Sequence, residues 1–171
     1  MLRVAINGYG RIGRSVLRAL YESNARQWVQ VVAINEPAET KTMAHLTRYD
    51  STHGRFPGTV EWQQDKRVVN DDVIQICHQE DLNQLPWANF GIDVVLECSG
   101  TFSDRSTAET HLKAGATRVL FSQPAEPNVD ATIVYGINHQ VLSGDETIIS
   151  SASCSTNCVV PVISVLNDSF G

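Results

Sequence analysis

Three glycines near the start of the chain constrain its fold more than any other feature. They form the pattern G-x-G-x-x-G at Gly8, Gly10 and Gly13. The apolar run Leu2–Asn7 predicts a strand before them, and the apolar spacing over Arg11–Glu22 predicts a helix after them. In this context the pattern is typical of a dinucleotide-binding turn, in which Gly8 permits the turn, Gly10 lets the backbone approach a pyrophosphate and Gly13 allows close helix–strand packing. The alternative is a glycine-rich turn that holds no ligand.

An acidic residue follows the second predicted strand, Val29–Asn35. This residue is Glu36, roughly 20 residues beyond the last glycine, where an acid can bond the hydroxyls of an adenosine ribose. A carboxylate there would repel a 2′-phosphate, so the pattern favours NAD over NADP as the cofactor. The alternative is a solvated loop acid beside Pro37.

The rest of the chain alternates between helical and strand-like segments. Helices are predicted at Thr40–Arg48, at residues 105–114 with Gly115 as C-cap, and at residues 154–167; strands are predicted at residues 93–98, 118–122, 132–135 and 147–150, and short antiparallel strands with a turn at residues 70–72 are predicted within residues 59–80. This alternation predicts the α/β class, as a Rossmann-type, doubly wound, mostly parallel sheet with helices on both faces.

Composition and charge exclude several classes of function. The net charge of −6 argues against a nucleic-acid-binding surface, which needs a basic excess. No run approaches eighteen apolar residues, so we expect no membrane span and no signal peptide. The four cysteines, Cys77, Cys98, Cys154 and Cys158, are too scattered for a disulfide framework and indicate free thiols in a reducing cytoplasm.

One cysteine, Cys154, stands where a helix is predicted to begin. Polar residues precede it and an apolar helical run follows. A helix N-terminus favours the thiolate, which can attack an aldehyde carbonyl, and the hydroxyls of Ser153 and Ser155 can bind a phosphate or an oxyanion. From spacing alone, packing is an equal alternative.

A second cysteine, Cys158, lies one helical turn after Cys154. Two thiols on one helix are only half a zinc site, and no other cysteine or histidine has matching spacing, so no metal site is expected. We interpret Cys158 as a small buried core residue, and Cys77 and Cys98, within strand-like runs, as structural.

Three segments resemble the glyceraldehyde-3-phosphate dehydrogenase superfamily, and the resemblance extends along the whole chain. They are NGYGRIGR at residues 7–14, YDSTHGRF at residues 49–56 and ASCSTNC at residues 152–158. Finer details resemble the bacterial erythrose-4-phosphate dehydrogenase branch: RALYES at residues 18–23, LPW at residues 85–87, FSQP at residues 121–124 and DATIVYG at residues 130–136.

The resemblance implies a set of roles around an NAD cofactor. The implied cofactor-binding residues are Asn7, Gly8, Gly10, Arg11, Ile12, Gly13, Glu36, Glu80, Ser99, Gly100, Thr101 and Ser122, with Arg11 and Ile12 at the pyrophosphate and Ser122 near the nicotinamide. Cys154 would be the nucleophile, with Ser153 and Ser155 binding substrate. The branch implies oxidation of D-erythrose 4-phosphate, release of 4-phosphoerythronate by water, supply of pyridoxal 5′-phosphate synthesis, and a cytoplasmic homotetramer.

The sequence departs from the family pattern at three positions. Ser151 and Ser155 stand where relatives carry Asn and Thr, and Glu80 stands where relatives often carry an arginine near the adenine. Ser155 keeps the hydroxyl, whereas Ser151 lacks the amide that helps to orient the loop. An acid at Glu80 cannot supply the stacking of an arginine, so it weakens the expected adenine contact.

Members of this family are longer than this chain. The resemblance assigns residues 1–171 as an NAD-binding domain that ends in the helix of the catalytic cysteine. A C-terminal catalytic domain with the histidine base would then be absent, and we expect weak NAD binding with almost no turnover. None of the five histidines (His45, His53, His78, His111 and His139) matches that base, and they are expected to be ordinary surface or loop residues, with a structural role as the alternative for His53. Two alternative functions are a phosphorylating glyceraldehyde-3-phosphate dehydrogenase and a stand-alone dinucleotide-binding redox sensor acting through Cys154.

Overall fold

A nine-stranded sheet organises the computed structural model, which describes residues 1–38, 40–63 and 66–171. The strands of the described residues are β1 (Leu2–Asn7), β2 (Val29–Asn35), β3 (Tyr49–Asp50), β4 (Gly54–Arg55), β5 (Val60–Gln63), β6 (Lys66–Val69), β7 (Asp72–Cys77), β8 (Val94–Glu97), β9 (Arg118–Phe121), β10 (Ala131–Thr132) and β11 (Ile148–Ser150). The α-helices are α1 (Arg11–Glu22), α2 (Thr40–Arg48), α3 (Trp87–Phe90), α4 (Arg105–Lys113) and α5 (Cys154–Phe170).

The sheet is mostly parallel, as the alternation of elements predicts. Its strand order is β10-β11-β9-β8-β1-β2-β7-β6-β5, and β3 pairs with β4 in a separate antiparallel hairpin. In this order, each strand from β10 through β7 pairs with the next in parallel. The pairs β7–β6 and β6–β5 are antiparallel. The Rossmann-type α/β class is therefore confirmed. The predicted antiparallel region is confirmed in the part that the structure describes, residues 64 and 65 lying outside it, and β7 also joins the parallel sheet beside β2.

The sheet is buried on both faces, which explains why its central strands are nearly continuous apolar runs. Successive side chains of a strand point to opposite faces. In β1, accordingly, Ile6 belongs to a core cluster with Leu17 of α1, whereas Ala5 belongs to a second cluster with Trp87 of α3 and Ala108 of α4. Helices thus cover both faces of the sheet, as predicted.

The strand predicted at residues 132–135 is wrong beyond Thr132. The amide of Ile133 still donates to the carbonyl oxygen of Ser150 at 2.8 Å, but the amide of Val134 donates to the side-chain oxygen of Asn138 at 2.7 Å, which closes a turn. Gly136 then takes a left-handed φ of +90°, which turns the chain away from the sheet. The short helix α3 was not predicted, because four residues are too few to show a helical period.

Helix α5 lies at the surface of the described structure, and none of its residues is buried. Its apolar residues Val159, Val162, Ile163 and Leu166 are about half exposed. The interpretation of Cys158 as a buried core residue is therefore wrong: its thiol is exposed because no described element packs over this face. Within the described ranges, no helix combines the length and the apolar character needed to cross a bilayer.

Candidate functional site

A cleft of about 400 Å³ opens beyond the carboxyl ends of β1 and β2. Ligands of open α/β sheets bind at this edge. Seven predicted site residues line the cleft: Asn7, Gly8, Gly10, Glu36, Glu80, Ser99 and Thr101. Five further lining residues were not predicted: Asn35, Pro37, Gln79, Leu82 and Phe102. Their positions follow from the pairing of β2 with β7 and from the loops beyond these strands, which single-sequence patterns do not report.

The three glycines of the first turn are glycines for different reasons. Gly8 has a φ of +88°, and a Cβ there would lie 2.4 Å from the backbone of Ser99. A Cβ on Gly13 would lie 2.3 Å from the carbonyl oxygen of Gly8, so this glycine allows α1 to pack on the turn. A Cβ on Gly10 would meet no protein atom within 4 Å. Because Gly10 lines the cleft, the space that it leaves is available to a ligand.

The N-terminus of α1 also faces this turn with unused hydrogen-bond donors. Gly10 is the N-cap and supplies no side-chain acceptor, and the first turn contains no acidic residue. The first amides of a helix have no partner within the helix and carry a partial positive charge. The end of α1 is therefore suited to binding a phosphate group.

The carboxylate of Glu36 is held in place at the cleft by two backbone amides. Its Oε2 accepts from the amide of Tyr9 at 2.8 Å, and its Oε1 accepts from the amide of Ala38 at 3.1 Å. Each carboxylate oxygen has more than one acceptor position, so both can still accept from ribose hydroxyls. Glu36 is thus prepositioned as an acceptor, as its place after β2 predicts.

A chain of side-chain amides forms the floor of the cleft. Asn35 Nδ2 donates to Asn7 Oδ1 at 2.8 Å and to the carbonyl oxygen of Gln79 at 3.0 Å. Asn35 Oδ1 accepts from the amide of Gln79 at 2.9 Å. These bonds tie the ends of β1 and β2 to the loop after β7. Both asparagines are almost fully buried, so their orientation depends on these partners.

Behind this floor lies a buried acid–imidazole pair that the sequence patterns missed. Glu97 Oε2 lies 3.0 Å from His111 Nε2, and both side chains are fully buried. The expectation that His111 is an ordinary surface or loop residue is therefore wrong. Its position on the inner face of α4, against β8, excludes it from solvent. An acid at the end of the apolar run Val94–Glu97 was the available signal, because a charge on a buried strand requires a partner.

Several predicted cofactor residues do not line the cleft. Arg11 is exposed at the start of α1 and forms an ion pair with Asp50 at 3.2 Å. Ile12 is half exposed, and Ser122 donates its amide to the carbonyl oxygen of Glu97 at 3.0 Å. Gly13 packs behind the turn, and Gly100 is exposed beside the lining residues.

Cys154 is the first residue of α5, as predicted, and its thiol is exposed. Ser153 is the N-cap, and its Oγ accepts from the amide of Thr156 at 3.0 Å. The same Oγ lies 3.0 Å from the Oγ of Ser155. Two hydroxyls therefore flank the exposed thiol in the sequence and hydrogen-bond to each other.

The turn that presents Cys154 is strained and clamped. Ala152 has a φ of +59°, which non-glycine residues rarely adopt. Asn157 Nδ2 donates to the carbonyl oxygens of Ser151 at 2.7 Å and Ser153 at 2.9 Å, so its amide bridges the strained residue.

The two remaining cysteines have the structural character that was expected of them. Cys77 ends β7 and Cys98 follows β8, and burial raises the pKa of each thiol to about 11. Both thiols are therefore protonated at neutral pH and unsuited to nucleophilic attack.

A comparison with known protein families assigns a dinucleotide-binding domain to the part of the chain that forms this cleft. The family model described as "Glyceraldehyde 3-phosphate dehydrogenase, NAD binding domain" matches residues 2–105. The matched span includes all the residues that line the cleft, from Asn7 to Phe102.

Proposed function

The chain belongs to the glyceraldehyde 3-phosphate dehydrogenase family and contains its NAD-binding domain, and from this membership we propose that it serves the NAD-dependent oxidation of D-erythrose 4-phosphate to 4-phosphoerythronate. The observation that carries the proposal is the position of Cys154. Its exposed thiol begins a helix at the sheet edge where the NAD-binding cleft opens.

The topology supports this common edge. Cys154 follows β11, and β11, β9, β8 and β1 are successive parallel neighbours. Their carboxyl ends therefore lie on one side of the sheet. Three interstrand spacings separate β11 from β1, which is about 14 Å. An extended dinucleotide held at the end of β1 would run along this edge toward Cys154.

The described residues fit NAD. The open space at Gly10 and the amides of α1 suit the pyrophosphate, and the fixed carboxylate of Glu36 suits the adenosine ribose. Ser99 and Thr101, which follow β8, also line the cleft, and Glu80 lines it without the stacking surface of an arginine. When bound, NAD supplies the hydride acceptor.

The chemistry at Cys154 follows from its surroundings. The thiolate adds to the aldehyde carbon and gives a thiohemiacetal, in which the former carbonyl oxygen carries negative charge until it is protonated. Ser153 Oγ accepts from the amide of Thr156 and lies 3.0 Å from the Oγ of Ser155 and 2.7 Å from the Oγ1 of Thr156, so a hydroxyl proton of this cluster can rotate away from its partner and donate to that oxygen or to a substrate phosphate. After oxidation, the acyl group is a thioester on Cys154, and water releases it as 4-phosphoerythronate, a precursor that would supply pyridoxal 5′-phosphate synthesis.

Because the sequence predicts almost no turnover for this chain by itself, the proposal is tested in a single-turnover assay, with the chain and NAD in excess over the aldehyde and the slow reaction followed over hours. D-Erythrose 4-phosphate and glyceraldehyde 3-phosphate are compared, each with and without inorganic phosphate, while NADH absorbance and the acyl adduct on Cys154 are followed, the latter by mass spectrometry. We expect phosphate-independent NADH formation with the four-carbon substrate, its loss in Cys154→Ser and its retention in the matched control Cys158→Ser. Faster, phosphate-dependent turnover of glyceraldehyde 3-phosphate would instead assign the phosphorylating reaction.

A further inference from the structure

We propose that Glu97 and His111 are positioning residues for the NAD cleft, because they fix which way the side-chain amides of its floor are oriented. The inference goes beyond the proposed reaction and rests on the NAD-binding cleft alone. Neither side chain lines the cleft, but both belong to one continuous chain of buried hydrogen bonds that ends there.

The first link fixes the tautomer of His111. Trp87 Nε1 lies 3.1 Å from His111 Nδ1, and an indole nitrogen can only donate. His111 Nδ1 is therefore the acceptor and carries no proton. The proton of the neutral ring is on Nε2, which donates to Glu97 Oε2 at 3.0 Å.

The second link is the ionised carboxylate of Glu97, which accepts every bond that it makes. Its Oε2 also accepts from Asn7 Nδ2 at 2.6 Å, and its Oε1 accepts from the amide of Ser99 at 2.8 Å. Burial raises the pKa of Glu97, but these bonds outweigh burial and hold the pKa below its ordinary value. Among the described residues, no lysine or arginine forms an ion pair with it. Its charge is therefore balanced by oriented dipoles.

The third link sets the orientation of the two asparagine amides that line the cleft. Because Asn7 must present its NH₂ group to Glu97, its oxygen faces Asn35. Asn35 must then present its own NH₂ group to Asn7 and its oxygen to the amide of Gln79. Asn7, Asn35 and Gln79 all line the cleft, as does Ser99. The charge of Glu97 and the proton on His111 Nε2 thus determine which atoms the floor presents to NAD.

Two substitutions of His111 separate positioning from stability. Gln places an NH₂ group near the position of Nε2 and keeps the donor to Glu97, but leaves Trp87 without an acceptor. Asn places its oxygen near the position of Nδ1 and keeps the acceptor for Trp87, but removes the donor to Glu97. Each variant loses one buried hydrogen bond, and the bond lost in His111→Asn is to a charged group, so we expect both variants to be destabilised and His111→Asn to unfold at the lower urea concentration. NAD affinity is therefore compared without urea, where both variants are folded.

Their NAD affinities should differ. Losing a hydrogen bond to a charged group that orients the floor predicts an NAD dissociation constant raised about tenfold in His111→Asn. His111→Gln should rescue binding to within about threefold of the unsubstituted chain, because the polarity is preserved. Isothermal titration measures both values, and equal dissociation constants in the two variants would overturn the proposal.

The unsubstituted chain provides a test that needs no variant. Nitrogen-15 NMR should show His111 with a protonated Nε2 and an unprotonated Nδ1, and should show the NH₂ group of Asn7 in slow exchange with solvent. A proton on Nδ1 would contradict the derivation. A chain that binds no NAD would refute the cofactor cleft itself, whatever the tautomer.

Discussion

The glycine turn allows a test in which stability and cofactor binding should separate. Gly8→Ala and Gly10→Ala add the same methyl group two residues apart. At Gly8 the methyl lies 2.4 Å from the backbone of Ser99 at a φ of +88°, whereas at Gly10 it meets no protein atom within 4 Å. We therefore expect Gly8→Ala to affect mainly folding and Gly10→Ala to affect mainly NAD binding.

The magnitudes follow from these contacts. At Gly8, a left-handed alanine costs about 1–3 kcal/mol and the overlap with Ser99 costs about as much again. For a chain of this size, a loss of about 3 kcal/mol lowers the melting temperature by about 10 °C. At Gly10 the change replaces a glycine N-cap by alanine, which costs at most about 1 kcal/mol of unfolding free energy.

For NAD affinity, we expect the larger loss in Gly10→Ala and the smaller one in Gly8→Ala. A methyl group on Gly10 occupies the space that the pyrophosphate needs, and the loss of even one backbone bond to a charged phosphate raises the NAD dissociation constant about tenfold or more. Thermal unfolding and NAD titration of both variants give the two numbers. The reasoning fails if Gly10→Ala binds NAD as tightly as the unsubstituted chain, or if it unfolds at as low a temperature as Gly8→Ala.

Three further predictions concern the thiols, a helix cap and the acid of the cleft. At pH 8, iodoacetamide should label Cys154 well before Cys98, which is buried and has a pKa of about 11, and peptide mass spectrometry with a urea-unfolded control measures the order. Asp104 caps α4, and its bonds to Ser106 and Thr107 lower its pKa from 3.8 to about 2. Its charge therefore stabilises the fold above pH 3.8, and that stabilisation is lost as the pH falls toward 2. Asp104→Asn keeps the cap without the titratable group, so its free energy of unfolding in urea should change less between pH 3.8 and pH 2 than that of the unsubstituted chain. Glu36→Ser should raise the affinity for NADP relative to NAD, because the carboxylate that repels a 2′-phosphate is removed; an unchanged ratio would show that Glu36 does not face the ribose.

Much of the fold was predictable because its signals are local. Strand β1, helix α1 and strand β2 have the predicted bounds, since each combines a clear apolar period with a glycine or polar boundary. The errors occur where an apolar pattern reports neither a side-chain hydrogen bond nor the cover over an apolar face. The side chain of Asn138 accepts from the amide of Val134 where the chain turns after Ile133, and α5 exposes the apolar face that its pattern would bury.

Of the candidate site, only residues that line the cleft were predictable from the sequence, and the buried residues behind them were not. The glycine turn and Glu36 carry a spacing rule with a mechanism, so the sequence alone predicted residues that the structure places at the cleft. The supporting residues could not be found in this way. His111 lies 14 positions from Glu97 along the chain, and the contact exists only because α4 packs against β8. Asn35 likewise receives its role from Gln79, 44 positions away.

Three local features at the carboxyl edge of the sheet do not serve stability. Glu97 carries a buried charge, Ala152 takes a left-handed φ of +59° without being glycine, and Gly10 leaves a space that no protein atom fills. The first two are energetically unfavourable by themselves, and the third forgoes the better capping of a serine or aspartate. By contrast, the left-handed Asn70, at φ +53°, lies in the turn between β6 and β7, where asparagine is an ordinary choice. Because unfavourable local choices are expected where function requires them, their occurrence at the edge that holds both the cleft and the Cys154 helix supports a single site spanning the ends of β1, β8 and β11.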